Sequence, residues 1–233
     1  MAKKNFYVIK YGVSPNTHEP VKNLLLTSWA ETEKYIKGIK GTEFKGFVTK
    51  AEAEAYLHES DPLTNKSENS YPQDALHCYV DGSFNSKLSN YSYGLVCVSK
   101  GQVLHYEGGI GNNQEAVSMQ QIGGELLGAI KALVYAKNNK LKSVVIFHDY
   151  KGVCYHAIGY WQRDNKFSEY YYQWMQKFFH ANPEMNVTFC KVDAHSGDDF
   201  NELADGFAKL ALGITPNKIF YRMSLKYNLD IIE

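Results

Sequence analysis

Two periodicities alternate along this chain. Near its start, NFYVIKYG, PVKNLLLTSW and FKGFV are short runs rich in aromatic and aliphatic residues, the pattern of strands. SWAETEKYIKG and KAEAEAYLH carry helical spacing instead. Thr27 or Ser28 stands where a cap of the first helix belongs, with Glu31 behind it. Thr49 and Glu52 have the spacing of a capping box for the second. Residues 1–58 therefore predict a small β–β–α–β–α module. Residues 59–75 break the pattern: rich in Ser, Asn, Asp and Pro, with a single leucine, they read as a flexible linker.

A larger domain is predicted over 76–213. It opens with three strand-like runs, LHCYVDGS, NYSYGLVCVSK and QVLHYEGG, the last two joined by a tight hairpin at Gly101-Gln102. A long helix follows in MQQIGGELLGAIKALVYAKNN. SVVIFHD is a continuous apolar run suited to a central strand. A helical, aromatic region covers about 150–180, where Tyr170, Tyr171, Tyr172 and Trp174 are expected on a core face. NVTFCKVDA is the last strand, and DDFNELADGFAKLALG the last helix, stopped by Gly213. Antiparallel strands followed by strand–helix alternation imply an α/β fold, a mixed sheet with helices on its faces. Residues 214–233 remain a tail without an assigned role.

Composition adds little to this picture until it is divided. The chain has 233 residues, 44% hydrophobic and 21% charged, ordinary values for a soluble globular protein. Basic and acidic residues balance at 25 each, yet residues 1–50 hold nine lysines against four glutamates, so the remainder is acidic. A basic module tethered to an acidic domain suits polyanion binding beside a cation site. Cys78, Cys97, Cys154 and Cys190 form no C-x-x-C pair and read as core residues in a reducing compartment. No signal peptide and no run near the ~18 apolar residues of a membrane span is seen, so a cytoplasmic protein without membrane association is expected.

The candidate chemistry lies in four acids. Asp81 and Asp149 end apolar strands; Glu125 and Asp205 sit on helices with apolar faces. Converging carboxylates beside a core are costly unless a divalent cation neutralises them. Such a set suits a two-metal phosphoryl-transfer site, whose ions stand about 3.5–4 Å apart and clamp the attacking and leaving oxygens. Asp81 suits the bridging place. Gly82 and the Gly123-Gly124 pair are expected to let a sugar-phosphate backbone approach. Each acid alone is commonplace; the order Asp, Glu, Asp, then His and Asp, over strand, helix, strand, loop and helix, is not.

That order resembles type 1 ribonuclease H. YVDGS is similar to the family's first-strand motif, GGELLGAIKAL to its helix glutamate, and FHDYKGV to its fourth-strand aspartate. DAHSGDDFNELADGFAKLA resembles its C-terminal signature, with His195 ten positions before Asp205. The resemblance implies a mixed five-stranded sheet flanked by helices. It implies Asp81, Glu125, Asp149 and Asp205 as ligands of two Mg²⁺ (Mn²⁺ substituting), and His195 in proton transfer or product release. It further implies cleavage of the RNA strand of RNA–DNA hybrids to 5′-phosphate and 3′-hydroxyl ends, by a monomer. NFYVIKYG, the Trp29 segment, FKGF and TKAEAEAYL resemble the hybrid-binding, viroplasmin-like α+β domain that precedes some members. By that analogy Tyr7, Trp29 and Phe44 stack on nucleotides and Lys45 meets a phosphate, the alternative for the aromatics being a place in a small core.

The chain departs from the family at the asparagine pair before the helix glutamate, replaced here by Gln120-Gln121-Ile122-Gly123-Gly124. Reading of 2′-hydroxyls then falls to backbone with Gln121, Ser83 or Asn85, and Asn201 is a further contact candidate. The basic handle of some members is missing: Arg163 and Lys166 stand against Asp164 and Glu169. Two rival readings remain. One is a non-catalytic binder of RNA–DNA hybrids or double-stranded RNA, against which the complete acid set argues. The other is an integrase-like strand transferase, disfavoured by the N-terminal module and His195.

Overall fold

The computed structural model describes residues 3–59, 61–193 and 197–231, so His195 lies outside the described residues. The chain forms two compact units, Met1–Pro62 and Leu63–Glu233.

In the first unit, β1 (Phe6–Val13) is the middle strand. One edge pairs antiparallel with β2 (Pro20–Val21) and β3 (Leu24–Leu26), the other with β4 (Glu43–Phe47). β2 and β3 hold the same register on β1, Gly12↔Val21 and Ile9↔Leu24. They are the single strand expected from sequence, interrupted at Asn23, whose φ is +53°. Helix α1 (Trp29–Ile36) starts after Ser28, whose hydroxyl makes no capping bond. Helix α2 (Lys50–His58) has the expected capping box: Thr49 Oγ1 accepts from Glu52 N at 3.3 Å, and Glu52 Oε2 accepts from Thr49 N at 3.1 Å. Side chains alternate across the sheet. Ile9 and Leu26 meet Ile36 of α1, while Phe47 lies 5.2 Å from Tyr56 of α2.

The second unit is built on a mixed sheet of order β5-β10-β9-β6-β7-β8. Strands β6 (Leu76–Asn85), β7 (Asn90–Ser99) and β8 (Gln102–Ile110) form an antiparallel meander. Lys100 and Gly101, with φ of +50° and +77°, make the tight two-residue turn between the last two. Strand β9 (Ser143–His148) runs parallel to β6, and β10 (Asn186–Lys191) parallel to β9. The expectation of five strands falls one short. Thr64–Asn65, inside the supposed linker, form β5 and pair parallel with Cys190 and Lys191. A 3₁₀ turn at Lys66–Glu68 follows, Tyr71 packs on the core and Ala75 is buried. A polar stretch orders here because its backbone completes a sheet edge, a gain independent of apolar content.

Short helix α3 (Gln114–Val117) leads into α4 (Gln121–Asn138). Helices α5 (Gly152–Ala157) and α6 (Lys166–Ala181) lie between β9 and β10, and α7 (Asp199–Ala211) follows β10. Within α6, Tyr171 is fully buried, whereas Tyr170 is 49% exposed rather than part of a core face. Glycines set how closely α4 and α7 approach the sheet. A Cβ on Gly82 would overlap the Gln121 carbonyl, and one on Gly124 would overlap the Ser92 carbonyl. A Cβ on Gly94 would overlap the Ala204 carbonyl of α7. Gly82 and Gly124 thus serve helix–sheet contact, not the approach of a phosphate backbone. The tail is also part of the fold. Helix α8 (Lys218–Lys226) buries Phe220 against Phe207, with ring centroids 5.2 Å apart, in the space left by Gly206.

Candidate metal centre and nucleic-acid contacts

Strand alternation turns Gly82 toward α4 and Tyr79 toward α7, where it meets Phe200 at 5.3 Å. Asp81 pairs across the ladder with Gly94, whose missing side chain faces α7. Asp149 lies directly after β9, parallel to β6. Glu125, 4% exposed, comes from the first turns of α4. Ligand oxygens of Asp81, Glu125 and Asp149 lie within 4.8 Å of one another. Asp81 Oδ1 accepts from Gly82 N at 2.7 Å, and Glu125 Oε2 accepts from Tyr150 N at 3.2 Å, so both carboxylates are held by backbone.

Burial raises the Asp81 carboxyl well above the ordinary range, and the charges of Asp149 and Asp205 raise it further. Burial raises Glu125 in the same way, followed by the charges of Asp149 and Asp81. The cluster thus favours protonation when left to itself, as an oxygen-only donor set built for a hard divalent cation should. The residues fit such an ion. Asp205 stands outside the three-carboxylate group. Its Oδ2 accepts from Lys209 Nζ at 2.6 Å, one turn along α7. It remains close enough to act on Asp81, and Lys209 pulls Asp81 the opposite way.

Sequence reasoning missed Lys209, although its i, i+4 spacing from Asp205 was a visible signal. It also missed His148. That ring is fully buried, its Nδ1 lies 2.9 Å from the Tyr150 carbonyl, and burial lowers its pKa to about 3. His148 therefore braces the residue whose N–H holds Glu125.

The other predicted contacts separate into groups. Ser83 is 9% exposed in β6. Asn85 Oδ1 accepts from Lys87 N and Leu88 N and so closes the β6–β7 turn. Gln121 is exposed at the start of α4. Asn201 is buried on α7, and its Oδ1 has no hydrogen-bond partner among the described residues. In the first unit, Trp29 lies 5.6 Å from Tyr7 and 5.8 Å from Phe44. At 45% and 42% exposure, Trp29 and Phe44 are surface residues, not core. Lys45 sits over Phe47 and Tyr56, on the α2 side of the sheet, and does not join them. Arg163 and Lys166 are each paired, with Glu169 at 2.8 Å and Glu115 at 2.9 Å.

The family described as RNase H matches residues 73–212, and that described as Ribonuclease H1 N-terminal domain matches 22–57. No curated protein matches the chain. Among solved structures, it is similar to RNase H1 from the halophilic archaeon Halobacterium salinarum (19% identity, 60% of this chain and 98% of that one, TM-score 0.49). It is also similar to LC11-RNase H1, isolated from compost, in complex with RNA/DNA hybrid (16% identity, 59% and 99%, TM-score 0.48). A third is a ribonuclease H domain from Desulfitobacterium hafniense (32% identity, 62% and 92%, TM-score 0.31).

Proposed function

The chain belongs to the RNase H family and is a ribonuclease H, and from that premise we propose that it hydrolyses the RNA strand of RNA–DNA hybrids by two-metal-ion catalysis, leaving 5′-phosphate and 3′-hydroxyl ends. The convergence of Asp81, Glu125 and Asp149 within 4.8 Å carries this reading. These three carboxylates, with Asp205 beside them, hold two Mg²⁺ ions, or Mn²⁺ in their place. Divalent ions held there would supply activation of the attacking water and stabilisation of the leaving 3′-oxygen. Tyr150 N–H fixes the orientation of Glu125, and Lys209 that of Asp205. His195 assists proton transfer or product release.

The first unit binds the hybrid through Tyr7, Trp29 and Phe44, whose clustered and exposed rings suit stacking on nucleotides. Tethering raises the effective concentration of substrate at the second unit, where the paired Arg163 and Lys166 offer little free positive charge. Gln121, Ser83, Asn85 and Asn201 are the candidates for reading the RNA strand. One chain supplies the clustered carboxylates, which supports a monomer. Its four buried free thiols suit the reducing cytoplasm. No helix among the described residues is long and apolar enough to cross a membrane.

Labelled RNA–DNA hybrid, duplex RNA and duplex DNA incubated with Mg²⁺ test the assignment. Cleavage of the RNA strand of the hybrid alone is expected, and its loss in Asp81→Asn and Asp149→Asn. Full turnover in either variant sinks the proposal.

A further inference from the structure

The RNase H match begins at residue 73, yet Lys66 reaches three elements of the candidate centre. Its Nζ forms an ion pair with Asp198 Oδ2 and donates to Tyr79 Oη at 2.7 Å. It also lies 4.6 Å from the centre of the Tyr79 ring and 5.1 Å from that of Phe147. Tyr79 is two residues before Asp81 on β6, and Phe147 two residues before Asp149 at the end of β9. Asp198 is the N-cap of α7, its Oδ1 accepting from Phe200 N and Asn201 N at 3.2 Å. One ammonium therefore joins the two strands and the helix that carry Asp81, Asp149 and Asp205.

The neighbouring residues act in the same direction. Asn65 hydrogen-bonds Asp193, which also pairs with Lys191 at 2.8 Å. Asn65 of β5 and Lys66 directly after it thus hold Asp193 and Asp198, which flank the stretch containing His195. On its other side, the first turn of α7 is held by the tail. Lys226 and Tyr227 reach Asp199 Oδ2 at 2.5 and 2.9 Å, and Asn217 Nδ2 donates to Glu202 Oε2 at 3.0 Å. The Lys66 and Asp198 side chains are only 26% and 14% exposed, so their attraction is less screened than that of a surface pair. Two aromatic faces further confine the ammonium.

We propose that Lys66 is a positioning residue for phosphodiester hydrolysis: from outside the family-matched region it fixes the first turn of α7, and with it Asn201 and Asp205, against the strands that present Asp81 and Asp149. The inference rests on the ribonuclease reading. Misplacement of catalytic groups by a fraction of an ångström lowers turnover without removing substrate contacts, so a loss of about tenfold in kcat with KM little changed is expected for Lys66→Met.

The full chain is assayed on labelled hybrid with saturating Mg²⁺, well below each variant's unfolding temperature. Lys66→Arg should recover most of the lost turnover. Asp198→Asn keeps a capping oxygen and should lower kcat as Lys66→Met does, and the double variant should lose no more than the worse single one. Tyr79→Phe, which removes only the hydroxyl, should give a smaller loss and serves if Lys66→Met folds poorly. Unchanged kcat in folded Lys66→Met or Tyr79→Phe, even with a lowered melting temperature, overturns the inference, as do multiplicative losses in the double variant. A wild-type chain that fails to cut the hybrid overturns the ribonuclease reading and this inference with it. An active wild type with an unimpaired Lys66→Met overturns this inference alone.

Discussion

Asp81→Asn should stabilise the metal-free protein while abolishing its activity. Its carboxylate lies within 4.8 Å of ligand oxygens of Glu125 and Asp149. Two unit charges at that separation repel by about 3 kcal/mol at an effective dielectric constant of ~20. Protonation of the raised carboxyls and the Lys209 charge already relieve part of this, so the net gain from removing one charge is set at about 2 kcal/mol. For a unit of this size that is about 4–8 °C in melting temperature. An asparagine oxygen still accepts from Gly82 N, a bond of 2.7 Å in the native protein, so the shape of the site is kept. Scanning calorimetry in a chelator should show the variant melting above the wild type. On titration with Mg²⁺ the wild type should gain about 2.7 kcal/mol at a hundred times its dissociation constant, and the variant much less, so that the two curves approach or cross. A variant that melts at or below the wild type without metal, or an equal response of both to Mg²⁺, refutes the argument that mutual repulsion at this cluster is relieved by a cation.

Three further outcomes are expected. Burial lowers the His148 pKa to about 3 and that of His156 to about 4. The unfolded chain therefore takes up these protons first, near pH 6.5, and stability is lost as pH falls from there toward 3–4, by up to about 1.4 kcal/mol per pH unit for each ring. His148→Phe should give a shallower acid-unfolding profile by circular dichroism, with identical slopes counting against it. Trp29→Ala should raise KM for the hybrid about tenfold, the scale of one lost stacking contact, with kcat unchanged; an unaltered KM removes the aromatic cluster from substrate binding. Gly124→Ala drives a Cβ into the Ser92 carbonyl and to 2.8 Å from Gly82 Cα, so it should cost about 3 kcal/mol in denaturant unfolding. Gly128→Ala meets the Val80 side chain at 3.0 Å and the Gly94 carbonyl oxygen only at an ordinary contact of 3.5 Å, and should cost clearly less; the reverse order contradicts the packing described.

Elements whose pattern is local were legible in the sequence. The capping box at Thr49, the Lys100-Gly101 turn beside the expected hairpin position, and the apolar run of β9 each follow from a few neighbouring residues. Three of the four acids converge, although Asp81, expected at the end of its strand, lies inside β6 and pairs with Gly94. What escaped depends on partners distant in sequence. Asp205 lies outside the three-acid group and pairs with Lys209, a side-chain contact that no hydrophobic pattern announces. Gly82 reads equally well as room for a phosphate or for a helix, and only the Gln121 carbonyl across from it decides. Lys45 follows Phe44 directly, and strand alternation alone sends the two to opposite faces.

The edges of the catalytic unit illustrate the same physics. Residues 59–75 lack the apolar density that marks a domain, and residues 214–233, though rich in apolar side chains, lie outside the recognised motifs, yet both supply contacts to the elements of the centre. β5 contributes two backbone pairings, and the 3₁₀ turn after it contributes Lys66. α8 contributes Phe220, seated in the notch of Gly206 on the helix that carries Asp205 one position earlier. Enlarging residue 206 would push against that ring, so the approach of α8 and the placement of Asp205 are coupled through a single glycine. The boundary of the working unit is therefore set by where charges and rings outside the RNase H match brace α7, and a catalytic fragment cut at residues 73 and 212 would retain the acids while losing the contacts that hold the helix carrying Asp205 in place.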